Sequence, residues 1–572
     1  MDRRRGYVIF SFIMTMCFMC SFTGRQLSQQ GNIIWTGGYV SVLLLCSILF
    51  GVIFGIAITE LFMWWEKRGN VFLPEKAVNK EKLKERSFGR SFAISLILFL
   101  IVWFPVYLAY YPGICSYDIT IQSGQFISHE YNDHHPLAHT LLMEAFYRFG
   151  IVMGDANDGI GWYVLFQMVL LACAMAFGIA FVYQRGAKKC WIIALQILFM
   201  IYPFHWYMSV SATKDTIFTA CVLMMLWCML GLIEEQRDEL RPGKWDLGFV
   251  VSVIFMVMFR NNGKFAFMIT LAFLFLIAIF AKQKRSQYVR IFADGAVALG
   301  IGVIAVTLLF HVTGAVQGDK REMLSMPIQQ LSRTMLYHGG TGVYEEDDDT
   351  ISEQDKALID AFLPGQAYLD YRPDISDPVK KQTYTYVFRY QLKDFLKTYV
   401  GLFFEYPGDY INAFLAQNAG FLYPFDVSHA YINLNGVDRG LGYIQTRWVE
   451  AELNPRGIYK DSKLQALHMW LENFADGNAY LDIPFLKYFM MPGFFVWYYL
   501  LYAGFLFWRR QYRYLIPLTF MLGYFATLLL GPTVQLRYIY PMMVGLPILM
   551  LGSSRKQDVG ETKERDVQAL CS

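Results

Sequence analysis

LAHTLLMEAFYRFGIVM, residues Leu137–Met153, is the stretch on which the fold turns. It is apolar enough to be taken for a membrane span, and whether it crosses decides which side every later residue faces. A crossing here would put Arg185, Lys188 and Lys189 outside, against the preference of Lys and Arg for the cytoplasmic side. The stretch also carries His139, Glu144 and Arg148, which an isolated span tolerates poorly. The reading is therefore a half-buried interfacial helix on the outer face, followed by the loop GDANDG (154–159). That keeps the whole first loop, 111–160, on the outer side.

The composition around this stretch is that of a membrane protein. Of 572 residues, 55% are hydrophobic and only 17% charged, with mean hydropathy +0.32; a soluble domain carries roughly a quarter charged residues. A net charge of +3 gives no reason to expect a nucleic-acid partner. The nine Cys sit mostly in or beside apolar runs, where Cys acts as a small hydrophobe, and their spacing marks neither a disulfide framework nor a zinc site.

Apolar runs near 7–23, 35–64, 91–110, 160–183, 190–206, 215–233, 246–260, 264–281, 290–313, 485–508, 513–531 and 537–552 predict about twelve transmembrane helices. The run at 35–64 exceeds one span and calls for tilt or an interfacial portion. Alternate connections hold 28 and 6 Lys and Arg, so both termini are expected in the cytoplasm. The fold class is thus an all-α polytopic membrane protein. Its expected divisions are N-terminal spans with a basic loop (1–90), a membrane core (91–313), a mostly helical extracytoplasmic domain (314–484), C-terminal spans (485–552) and a charged cytoplasmic tail (553–572). Within 314–484, helices are expected near 381–404 and 408–422, and Thr350 with Glu353 suggests a capping box after the acidic run EEDDD (345–349). That run lacks the spacing of a calcium loop.

The outer connections are short but chemically equipped. Lys214, Arg260, Lys264 and Arg537 lie at outer span ends, where basic residues are disfavoured, and an anionic lipid headgroup would compensate them. Taken singly, each would be a snorkelling anchor. Asp118, in SYDITIQSGQ, is either a helix cap or a general base. In YNDHHPLAHT (131–140), Asp133, His134 and His135 precede Pro136 and can cap the helix that follows. His135 and His139 are four apart, but HPLAH lacks the Glu of a zinc-protease helix, so hydrogen bonding is favoured over metal binding.

The ordered set of Asp118, His135-Pro136-Leu137, Lys214-Asp215 and Arg537-Tyr538 with Pro541 resembles the GT-C superfamily of multipass glycosyltransferases, in particular bacterial relatives of protein mannosyltransferases and aminoarabinose transferases. The resemblance covers roughly 91–310 and 485–552. It implies a GT-C-like membrane core and transfer of a sugar, with inversion, from a polyprenyl-phosphate donor to an extracytoplasmic acceptor: a cell-wall polymer, a lipid-linked glycan or a protein. It further implies Asp118 as the catalytic residue and Lys214, Arg260, Lys264 and Arg537 as the lipid-phosphate site. Asp133, His134, His135, Asp215 and Tyr538 are assigned to sugar or acceptor binding. No metal ligand is assigned, and no cofactor beyond the donor; a divalent metal stays open. The chain departs from the family in lacking the second Pro of His-Pro-Pro-Leu, and in having only Glu130 or Asp133 as a second acid in the first loop. The competing expectation is a transporter or lipid flippase, for which Asp294 would be the intramembrane charge; a non-enzymatic assembly factor would not need the outer cations.

Overall fold

The computed structural model describes residues 3–30, 32–67, 87–235, 243–280, 284–341, 351–424, 448–476 and 479–552. Residues 345–349, the tail from 553 and most of the basic stretch between Lys67 and Arg90 lie outside them. The described chain is helical; its only β pairings are isolated bridges.

The first half forms a bundle of α1 (Arg3–Cys20), α2 (Thr23–Gln30), α3 (Gly37–Lys67), α4 (Phe88–Ala109), α5 (Tyr117–Ser128), α6 (Leu137–Met153), α7 (Ala156–Gln184), α8 (Lys189–Ile201), α9 (Pro203–Val210), α10 (Lys214–Glu234), α11 (Lys244–Phe259), α12 (Asn261–Phe280) and α13 (Arg285–Thr313). A polar insertion follows, with α14 (Ser325–His338), α15 (Glu353–Phe362), α16 (Val387–Glu405), α17 (Pro407–Gln417) and α18 (Gln465–Ala475). The chain then returns to the bundle through α19 (Pro492–Trp508), α20 (Leu515–Leu528) and α21 (Tyr540–Gly552).

Among the described residues, seven helices are long and apolar enough to cross a membrane, or eight if the bent pair α8–α9 counts as one span. Helices α11, α19, α20 and α21 are shorter, so the twelve expected runs are all helical but not all of spanning length. The run at 190–206 is broken: Pro203 opens α9 and the two pieces meet at 56°, because Pro can start a helix but cannot continue one. Stretch 137–153 forms α6, a helix of 17 residues that is not among those both long and apolar enough to cross. Its Glu144 and Arg148 pair at 2.6 Å, and Tyr131 donates to Glu144 at 2.7 Å.

Burial ranks the spans. α10 is the central post, with 89% of its apolar window buried inside the protein, whereas only 22% of α3 and 17% of α13 is buried. Their Leu45, Ile56 and Ile304 are more than half exposed. A helix that is apolar all round yet uncovered by protein is solvated by lipid.

The insertion has its own small core, in which Ile328, Leu331, Phe362, Phe395 and Leu402 meet. The expected helices near 381–404 and 408–422 appear as α16 and α17 plus a turn at Ala419–Leu422. Ser352 caps α15, accepting from the backbone N–H of Asp355, and Thr350 of the expected box lies outside the described residues.

Candidate functional site

The segment before α5 and the segment before α10 lie side by side. The Ile114 amide donates to the Val210 carbonyl at 2.8 Å, and the Ala212 amide donates to the Ile114 carbonyl at 2.9 Å. Gly113 allows this approach. Its φ of +154° lies in the region that favours glycine, and a Cβ there would come within 2.6 Å of Val164 and 2.9 Å of the Val210 carbonyl. Thr213 then caps α10 through the Asp215 amide, and the two helices start side by side with Asp118 and Lys214 in their first turns.

Asp118 Oδ2 accepts from Lys214 Nζ at 2.7 Å and from Arg537 Nη1 at 3.1 Å. Lys214 Nζ also donates to His135 Nδ1 at 3.1 Å. Arg537 comes from the turn Leu536–Ile539 that leads into α21, and Gln535 accepts from its Nε at 2.6 Å. Behind this layer, Asp215 forms an ion pair with Arg260 and lies 3.8 Å from Arg537. Arg260 sits in extended backbone between α11 and α12. Its guanidinium lies over the rings of Phe218, Tyr524 and Tyr538, at 5.4, 5.7 and 5.1 Å from the centroids. All five charged side chains are at least 85% buried.

The charges do not cancel. Lys214, Arg260 and Arg537 carry three positive charges against the two carboxylates of Asp118 and Asp215. Burial raises the affinity of the Asp118 carboxyl for a proton, but Arg537 and then Lys214 outweigh it and hold the group well below the usual carboxylate range. Asp118 is therefore ionised here. For His135, burial and then the Lys214 charge depress the imidazole well below its ordinary value, with Asp118 opposing. The neutral ring accepts at Nδ1 from Lys214, so the proton sits on Nε2. That Nε2 is buried and, among the described residues, without a hydrogen-bond partner.

Of the residues singled out from the sequence, Asp118, His135, Lys214, Asp215, Arg260, Arg537 and Tyr538 meet in this cluster. Lys264 does not: it lies on the first turn of α12 and, among the described residues, forms no ion pair. Asp133 turns away to accept from the Gly318 amide, fastening the loop to the start of the insertion. His134 lies 3.7 Å from Glu322, also in the insertion, and packs edge-on against His135. None of the three caps α6; Pro136 holds the cap position without a side-chain bond. Nor do His135 and His139 share a helical face, because the helix starts only at Leu137. Instead Gln122 Nε2 donates to His139 Nδ1 at 2.8 Å, and His139 Nε2 donates to the Tyr163 hydroxyl at 2.5 Å, linking α5, α6 and α7.

Sequence reasoning missed several supports. Gln535, Phe218 and Tyr524 had no distinguishing local pattern. Arg456 donates to the Thr120 carbonyl at 2.5 Å and the Ser123 hydroxyl at 2.7 Å, bracing α5 from more than 300 residues away. Asp294 is not at this cluster but lies against Asp246 and Arg290, near the far ends of α11 and α13.

A family model described as "Family of unknown function (DUF6020)" matches residues 127–567. The chain belongs to this family. Six of the seven clustered residues fall inside the DUF6020 segment, and Asp118 lies just ahead of it. Neither a curated protein nor a solved structure matches the chain.

Proposed function

We propose that the cluster is the active site of a membrane glycosyltransferase of the GT-C type, which moves a sugar from a polyprenyl-phosphate donor to an acceptor outside the cytoplasm. The observation that carries this reading is the buried excess of one positive charge, with the His135 N–H unpartnered beside it. An uncompensated buried charge costs several kcal/mol, and an anion with several oxygens relieves that cost at this cluster. A phosphate on a lipid carrier is such an anion, and it arrives from within the bilayer. On this reading α1, α3, α4, α7, α8–α9, α10, α11, α12, α13, α19, α20 and α21 make twelve crossings, with both termini cytoplasmic and the insertion 314–484 outside in the cell envelope.

The resting arrangement sets the order of events. Asp118, ionised and tied to Lys214 and Arg537, is a weak base. When the donor phosphate enters, it competes for those two cations and frees the carboxylate. Asp118 then takes the proton of the acceptor hydroxyl as its oxygen attacks C1 of the sugar. The C1–O bond to phosphate breaks, its electron pair leaves with the phosphate, and Arg537, Lys214 and Arg260 stabilise the added negative charge. Attack from the face opposite the phosphate inverts the anomeric centre. Asp215 holds Arg260 in place from behind, and the His135 N–H faces an oxygen of the phosphate or the sugar.

The test is turnover of Asp118→Asn, purified in membranes, with polyprenyl-phosphate sugars as donors and envelope glycans, lipid-linked glycans or proteins as acceptors. Loss of transfer with unchanged expression supports the reading; undiminished transfer removes Asp118 from the chemistry.

A further inference from the structure

Helix α16 has two faces with different fates. One packs into the core of the insertion through Phe395 and Leu402, and Thr398 donates to Asp355 at 2.6 Å. The other carries Leu392, Leu396, Val400, Phe403 and Phe404, between 40% and 75% exposed. Spacings of 4, 8, 11 and 12 residues from Leu392 place all five on one stripe about a third of the circumference wide. Lys393 and Lys397 border the stripe on one side, whereas the acids Asp394 and Glu405 project further round toward the opposite face. Among the described residues nothing covers the stripe.

We infer that this stripe of α16 lies in the headgroup–acyl boundary of the bilayer, as an interfacial helix that seats the insertion on the membrane. Three observations converge. First, the apolar surface continues to the membrane end of a lipid-facing span. α17 follows α16 after the single residue Tyr406 and packs against α2 and the segment leading into α3 through Leu27, Ile33 and Ala416. There Trp35 Nε1 donates to Asn412 Oδ1 at 3.3 Å and Asn412 Nδ2 donates to Asn32 Oδ1 at 2.8 Å. Second, Ile34, Trp35 and Ile411 at that junction are themselves about half exposed, and Trp is the side chain suited to a membrane–water boundary. Third, the charge is sorted: lysines edge the apolar stripe, where they meet lipid phosphates, and the acids are kept away. This placement does not depend on the catalytic reading above.

The test uses the full chain in nanodiscs of phosphatidylethanolamine and phosphatidylglycerol, with the photo-crosslinking residue benzoylphenylalanine introduced singly at positions 396, 404 and 394. Lipid seating gives phospholipid adducts at both 396 and 404, and a yield at 394 at least tenfold lower. A cross-link to protein at 396 or 404, whether to a second copy or to another part of the same chain, overturns the inference. So does the absence of a lipid adduct from either position, or an equal yield at 394.

Discussion

Two buried ion clusters join helices at opposite ends of the bundle. α10 carries Lys214 of one and Glu234 of the other, 20 residues apart, about 30 Å at 1.5 Å per residue. At the far end Arg185 pairs with Glu234 at 3.0 Å, and Arg290 pairs with Asp246 at 3.3 Å and approaches Glu235 at 3.9 Å. The Tyr514 hydroxyl donates to Glu234 at 3.0 Å, and the Gln287 amide binds the backbone where α10 ends. Among the described residues, two guanidiniums there face three carboxylates, with Asp294 close by. At the near end three cations face two carboxylates, and a neutral histidine presents a bare N–H. Both clusters are largely buried, although Arg185 and Glu235 at the far end are 23% and 24% exposed. On the proposed reading the far cluster is a staple between helix ends and the near one is short of an anion, so burial of charge does not by itself mark a site.

Substitutions can break this contrast. The largest expected effect is that of Asp118→Asn, which should lower sugar transfer by roughly 10²–10⁴-fold, the usual span for loss of a general base. Asp246→Asn at the far end should leave turnover per folded molecule unchanged. Equal losses in a single-turnover assay would make both clusters structural.

Arg537→Ala and Arg260→Ala should each reduce donor use by about 10²–10³-fold, as expected when a group stabilising developing charge is removed. Arg290→Ala strips one partner from a buried pair and should instead cost about 3–5 kcal/mol of stability, read as a lower thermal midpoint with turnover intact. If Arg290→Ala reduced donor use as much as Arg537→Ala, the far cluster would not be a mere staple.

Acid should separate the near end in a different way. Burial first, then Lys214, holds His139 down at about 3 from an ordinary 6.5, with Asp118 opposing. Between those values the unfolded chain binds a proton that the folded chain does not. Stability therefore falls as pH drops from about 6.5 toward 3, and is fully recovered above 6.5. His139→Gln should flatten that limb of a plot of thermal midpoint against pH; an unchanged slope would mean that the Gln122–His139–Tyr163 link contributes nothing to it. Smallest of all, Lys264→Ala, which touches no member of the cluster, should leave donor use within assay error. A loss comparable to that of Arg537→Ala would move the phosphate site toward α12.

Some of this was open to reading along the chain. The apolar character of Leu137–Met153 predicted the helix α6, and the long apolar runs marked the helices of the bundle. Asp118, Lys214, Arg260 and Arg537 were visible as charges at the ends of such runs. Their partners were not. Nothing near Asp215 distinguishes a residue facing ligand from one tethering Arg260. Lys264, four residues on from Arg260, was grouped with it by position, and the first turn of α12 carries it elsewhere. His134 and His135 are neighbours in the chain, yet only His135 turns inward. Arg456 braces α5 across more than 300 residues, a relation with no local periodicity at all.

Hydropathy and charge alone determined that this chain is a multihelical membrane protein with polar groups gathered at helix ends. Water and hydrocarbon sort residues one at a time, and that sorting is written in composition and period. Which of those end groups meet was decided by the tertiary structure, through the Ile114–Val210 pairing and the packing around α10. Coulomb attraction between residues hundreds of positions apart depends on separations of a few ångströms that no stretch of sequence contains.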